Sequence, residues 1–257
     1  MRIATWNVNS VRARLPNVMD WLGKVRPDIL LLQEIKCETD AFPEMDFTMA
    51  GYNLHVLGQK TYNGVALASL HKIDVVREGL PGFEGDDQAR YLEATIEGIR
   101  VASIYAPNGN PLGSDKFEYK LKWMRHFKRH ARNLLRDEKP VVLGGDFNVL
   151  QTERDVYDPK GWEQDALYAP EVRAEFREIL NLGLTEAYRA LHPDEQAYSF
   201  WDYQGGAWQQ DKGLRLDLFL VSPEAADRTN GCLIAREERG KDKASDHVPV
   251  ILDLQSN

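Results

Sequence analysis

Val141-Val142-Leu143-Gly144-Gly145-Asp146-Phe147-Asn148 is the stretch from which the rest of the chain can be read. Three consecutive apolar residues suit a strand covered on both faces, where neither side meets water. Two glycines then bring the backbone to a pair of polar residues spaced two apart. In extended chain such residues point to the same side. Asp146 and Asn148 therefore look toward one point, while Phe147 turns back into the core. Taken alone, the same residues equally describe a strand ending in a turn, where Asp and Asn are common.

Similar runs occur along the whole chain: Arg2 to Trp6, Asp28 to Gln33, Gly64 to Leu70, Tyr91 to Ile96, Arg100 to Tyr105, Arg215 to Val221 and Val248 to Leu254. The Glu97-Gly98 step between two of them reads as an antiparallel hairpin. Helical spacing marks three further segments. Leu15, Val18, Met19 and Leu22 share a face that ends near Pro27. Phe117, Leu121, Met124, Ala131 and Leu135 line a long helix ending before Pro140. A third helix spans about Glu171 to Leu182, with Gly183 as its stop. The long helix carries Lys116, Lys120, Arg125, Lys128, Arg129 and Arg132 opposite its apolar stripe, the pattern of a solvated face. Strands alternating irregularly with helices predict an α+β fold, two packed mixed sheets flanked by helices.

Four other strand ends offer polar groups. Ser245-Asp246-His247 precedes Val248, with Pro249 restricting that strand to a start or edge. Asp28-Ile29-Leu30-Leu31-Leu32-Gln33-Glu34 ends a buried run in a carboxylate. Asn7 and Asn9 stand two apart after the first strand. Arg215-Leu216-Asp217 places an acid within an apolar run, where it is costly unless paired, and His247 is the natural partner. Each alone reads as an ordinary loop or cap. Together Asn7, Glu34, Asp146, Asn148, Asp246 and His247 offer mostly oxygen donors, which suits Mg²⁺ or Mn²⁺ and argues against structural Zn²⁺. Such metals serve phosphoryl chemistry.

The chain has 257 residues, 43% hydrophobic and 28% charged, and no linker or repeat divides it, so one domain over residues 1–257 is expected. Cys37 and Cys232 are too few for a disulfide framework and suit a reducing cytoplasm. No run is long enough to span a bilayer, and the N-terminus lacks the apolar core of a secretion signal. The net charge of −8 does not by itself suggest a nucleic-acid partner. That reading has to come from local sites.

Seven words occur in one order: Trp6-Asn7-Val8-Asn9-Ser10, Leu32-Gln33-Glu34-Ile35-Lys36, Tyr62-Asn63-Gly64-Val65-Ala66, Tyr105-Ala106-Pro107-Asn108-Gly109, Gly145-Asp146-Phe147-Asn148, Arg215-Leu216-Asp217 and Ser245-Asp246-His247. In these the chain resembles the exonuclease III family of AP endonucleases, within the endonuclease/exonuclease/phosphatase superfamily. The resemblance runs from Met1 to about Leu254 and implies a four-layer α/β sandwich with its site where the two sheets converge. It implies Glu34 as principal Mg²⁺ ligand, with Asn7, Asp246 and His247 close by. Asp146 would activate water, Asn148 would orient it, and Tyr105 and Asn108 would reach the phosphate. Asp217 would orient His247, and removal of the proton is left to either Asp146 or His247.

The implied substrate is double-stranded DNA with abasic sites or blocked 3′ ends, cut by a monomer with no obligate protein partner. Phe200, Trp201, Leu214 and Leu216 resemble a slot for a base-less sugar. Arg12 would meet phosphates. The loop around Trp208 has few basic residues, and Trp208 reads either as a wedge or as packing. Two other readings stand beside this one: a phosphatase or lipid or inositol-phosphate phosphodiesterase of the same superfamily, and a DNA-binding module without catalysis.

Overall fold

The central strands form because β-branched and leucine side chains cover both of their faces; the sheets they build are then capped by amphipathic helices. The structure is a computed structural model and describes residues 1–255. One sheet contains β1 (Arg2–Asn7), β2 (Ile29–Gln33), β3 (Asn53–Leu57), β4 (Val65–Ser69), β11 (Thr229–Ile234) and β12 (Val250–Leu254), in the order β11-β12-β1-β2-β4-β3. The other contains β5 (Val75–Glu78), β6 (Tyr91–Ile96), β7 (Ile99–Tyr105), β8 (Val141–Asp146), β9 (Thr185–Glu186) and β10 (Asp217–Val221), in the order β5-β6-β7-β8-β10-β9. Both are mixed, with β1–β2 and β7–β8 the parallel pairs.

The sheets meet through Ile3, Leu31, Leu67, Leu92, Val101, Val142 and Phe219. Burying each such side chain contributes about 1.5–3 kcal/mol. Gly144 marks their close approach. A Cβ there would lie 2.5 Å from Phe219 and 2.8 Å from Leu31 of the opposite sheet. On the outer faces, α1 (Val11–Val25) packs Val18, Trp21 and Leu22 against Trp6, Leu30 and Leu32. Helices α3 (Asp115–Leu135) and α4 (Pro170–Leu180) cover the second sheet through Phe117, Met124, Phe127, Phe176 and Ile179. Short helices α2 (Glu44–Met49), α5 (Ala187–Leu191) and α6 (Pro223–Ala226) complete the shell. The order helix–sheet–sheet–helix is the four-layer sandwich expected. Among the described residues, no helix is long and apolar enough to cross a membrane.

Two differences from the sequence reading have physical causes. The strands not announced by an apolar run are β3, β5, β9 and β11, which are the four sheet edges. Edge strands lack a neighbour on one side and need less apolar cover. The second difference is Lys120. Lys116, Arg125, Arg129 and Arg132 do lie exposed on α3, and Lys128 pairs with Glu175 of α4, but Lys120 is 0% exposed. The chain after β7 folds over it.

Candidate active site

Register assembles the site. Asn7 ends β1 opposite Gln33, so Glu34 emerges beside it; Tyr105 ends β7 opposite Asp146, and Asp217 opens β10 opposite the same Asp146. All five side chains therefore arise at one end of the two sheets. The amide of Asn7 joins the sheets there, since Nδ2 donates to Glu34 Oε1 at 2.8 Å and to Asp146 Oδ2 at 3.0 Å. Behind it, Gln33 donates to Ser103 of β7 at 2.9 Å and fixes the distance between the layers.

His247 enters at the same end of the sheets, just ahead of β12, which runs antiparallel to β1. Its Nδ1 lies 2.8 Å from Asp217 Oδ2, and its Nε2 faces Asp146 Oδ2 at 3.8 Å. Ser199 Oγ donates to the same Asp217 oxygen at 2.7 Å, and Ser245 Oγ binds Asn7 O at 2.8 Å while accepting from His247 N at 3.2 Å. Burial alone would lower the imidazole, but the charge and hydrogen bond of Asp217, with Asp146, push His247 up to about 10. It is an imidazolium at neutral pH, bonded on one nitrogen and free to donate from the other. Burial raises the Asp146 carboxyl, helped by Asp217 and Glu34 and opposed by His247. Burial would raise Glu34 as well, yet Lys36 Nζ at 2.8 Å and Asn7 hold it low.

Glu34, Asp146 and His247 present donor atoms within 4.8 Å of one another. In this group Glu34 and Asp146 offer carboxylate oxygens and His247 an imidazole nitrogen. A carboxylate pair, Asp146 buried and Glu34 partly so, with a third acid in Asp217 behind it, fits a hard divalent metal. The other proposed ligands stand one layer back. Asn7 turns its nitrogen to the carboxylates and its Oδ1 to Asn9 N at 3.1 Å. Asp246 accepts from Asn9 Nδ2 at 3.0 Å and from Ser245. Asn148 donates to Ala106 O at 2.9 Å and accepts from Asn108 at 3.4 Å.

Tyr105 stands over this floor, its ring stacked on Arg90 at 4.8 Å. Burial and the carboxylates of Glu34 and Asp146 raise its phenol well above the ordinary range, so it stays a neutral hydroxyl. Arg12 is exposed on α1, as a phosphate contact requires. The slot residues divide. Phe200 is half-buried with its ring 4.9 Å from that of His247, and it packs against Leu150, Leu214 and Leu216. Leu214 and Leu216 keep only 1% and 3% of their surface. Trp201, at 0% exposure, packs on Tyr198, Trp208 and Val248. Trp208 packs too, lying 5.0 Å from Trp201 beneath the Arg236 guanidinium.

Ser199, Lys36 and Lys120 lie beside or behind the site without having been singled out as site residues. Ser199 was visible as the polar residue between Tyr198 and Phe200, and Lys36 as the cation two residues past Glu34. Lys120 gave no signal, because it shares its spacing with solvated lysines.

Residues 4–247 match the model of the endonuclease/exonuclease/phosphatase family. The exodeoxyribonuclease III of Haemophilus influenzae is 30% identical over 97% of this chain and 98% of its own length. An AP endonuclease from Archaeoglobus fulgidus superposes with a TM-score of 0.96 at 36% identity, covering 100% of both chains. The 3′-5′ exonuclease NExo from Neisseria meningitidis superposes with a TM-score of 0.97 at 39% identity, also over 100% of both.

Proposed function

The chain belongs to the endonuclease/exonuclease/phosphatase family, and from that premise we propose that it is a DNA-repair hydrolase that cuts 5′ to abasic sites and trims blocked 3′ ends. The observation that carries the reading is the triangle of Glu34, Asp146 and the Asp217-held His247 at one sheet end. The relatives named above process DNA. Residues 1–257 act as one catalytic unit, a cytosolic monomer, with Mg²⁺ as its metal and Mn²⁺ as a substitute. Two buried, unpaired cysteines agree with a reducing compartment.

A phosphodiester is anionic, so attack by water requires charge neutralisation and a base together. When bound at Glu34 and Asp146, Mg²⁺ supplies Lewis acidity toward the phosphate. Asp146 stands where its carboxylate can take the proton from the attacking water. His247 is already protonated, so it serves as donor and positive charge rather than base. Its free Nε2–H faces the phosphate oxygens. Asn148 keeps one amide hydrogen on Ala106 O and directs the other at the phosphate, with Asn108 and the Tyr105 hydroxyl as further donors. Water oxygen bonds to phosphorus as the bond to the 3′ oxygen breaks. That oxygen takes a proton, leaving a 3′-hydroxyl and a 5′-phosphate. Phe200, Leu214 and Leu216 line the slot for the extruded sugar.

The test is a labelled duplex carrying one tetrahydrofuran abasic site, compared with inositol phosphates. Cleavage of the duplex to a 3′-hydroxyl end, abolished by EDTA and restored by Mg²⁺, is expected. Hydrolysis of inositol phosphates in its place would move the chain to another branch of the family.

A further inference from the structure

Lys120 is fully buried, yet the reaction as derived above does not use it. It rises from the second turn of α3, beneath the segment that carries Tyr105, Ala106, Asn108 and Asn110. Its Nζ donates to Asn108 O at 2.9 Å and to Asn148 O at 2.5 Å. Those carbonyls belong to two separate loops, one after β7 and one after β8. The loops hold the site's two asparagine amides, which also bond each other at 3.4 Å. Asn148 adopts a left-handed conformation at φ 47°, uncommon outside glycine and costly without support. Its backbone N–H donates to Asp146 Oδ1 at 2.9 Å.

The lysine stem is equally constrained. Gly109 has φ 88°, and a Cβ there would stand 2.5 Å from Lys120 Cδ and 3.4 Å from the Ala166 methyl. Absence of a side chain at 109 is what lets the loop close over the lysine. An ammonium or a neutral amine would each carry the two N–H bonds the carbonyls take, so the arrangement does not depend on the charge state.

We infer that Lys120 is a positioning residue for phosphodiester hydrolysis, clamping the backbones of Asn108 and Asn148 from behind so that both amides stand at the phosphate. This rests on the hydrolase reading above. Small misplacements of groups acting on a transition state cost up to about 100-fold. A residue that acts through two others has no effect once they are gone, whereas a residue that only supports the fold still does.

The experiment is a cycle on the full chain with the abasic duplex. Lys120→Met keeps the stem and removes both donors. It should lower kcat by roughly 10- to 100-fold with KM within about threefold. In an Asn108→Ala/Asn148→Ala background the same substitution should add less than about twofold. Gly109→Ala pushes on the same stem without deleting the lysine, and it should show the same kcat-dominated loss if Lys120→Met does not fold. An unchanged kcat in whichever of these variants folds would overturn the inference. So would an undiminished extra loss in the asparagine-free background. A wild-type chain inactive on the abasic duplex would overturn the hydrolase reading, and the clamp with it.

Discussion

Arg215 and Asp217 are separated by a single residue, yet they belong to two buried charge clusters of opposite character. Arg215 is 1% exposed, with Nε 2.8 Å from Asp155 and Nη1 2.9 Å from Glu186, while Arg189 closes the group at 2.9 Å from Asp155. Two guanidinium groups thus face two carboxylates. Burial would raise Asp155, but Arg215 and Arg189 outweigh it and hold the carboxyl below its ordinary range. Two residues on, Asp217 joins Asp146 and Glu34 against His247 and Lys36. Here the carboxylates are in excess, and Asp146 is raised. The cluster of matched charge acts as a buried tie between the segment ahead of β10, β9, α5 and the turn at Asp155. The unbalanced one carries an excess of carboxylate that a cation would neutralise.

The contrast breaks most visibly in turnover. Asp146→Asn and His247→Asn should each lower kcat by about 10²–10⁴-fold with the fold intact, because both act on the reacting phosphate. A change in steady-state kinetics smaller than tenfold in both would remove the distinction. Arg215→Met should do the reverse. Removing one partner strands buried carboxylates and costs about 3–5 kcal/mol of stability, read by denaturant unfolding, while folded protein keeps its kcat. Loss of kcat without loss of stability would make Arg215 part of the site.

The two clusters also answer pH with opposite signs. Asp155 has a depressed pKa, so its stabilisation is present above the ordinary Asp range and is lost as pH falls through its folded value. His247 is raised to about 10, so its stabilisation is complete below the ordinary imidazole range and is lost as pH rises through about 10. Melting temperature against pH should therefore show a shallower acid limb in Asp155→Asn and a shallower alkaline limb in His247→Asn. Matching profiles for the two variants would contradict this. The smallest effect belongs to Ser199→Ala, which removes the bond Ser199 Oγ donates to Asp217 Oδ2 and the two it accepts from the backbone N–H groups of Leu216 and Asp217. It should cost about 1–3 kcal/mol and move kcat little, since the Asp217–His247 bond survives. A large kcat loss there would place Ser199 within the chemistry.

Those comparisons also show what could be read from the chain. The inner strands and the ends carrying Asn7, Glu34, Asp146, Asp217 and His247 were legible, because two-sided burial demands apolar runs and a polar break in one stands out. The edges β3, β5, β9 and β11 were not, since half-covered strands carry no such run. Pairing of Asp217 with His247 followed from the cost of a lone buried acid. Adjacent aromatic residues such as Phe200 and Trp201 give no clue in the sequence to which of two faces meets a ligand. Phe200 bridges His247, whereas Trp201 points into the packing around Val248. Lys120 was hidden because its burial depends on a loop that closes over the helix from elsewhere in the chain.

Direct titration of the protein with Mn²⁺, followed by EPR of the free ion, tests the carboxylate excess itself. The wild-type chain and Arg215→Met should bind the ion alike, while Glu34→Gln should lose most of that binding. Equal Mn²⁺ binding by Glu34→Gln and wild type would show that the unbalanced cluster is not where the cation sits.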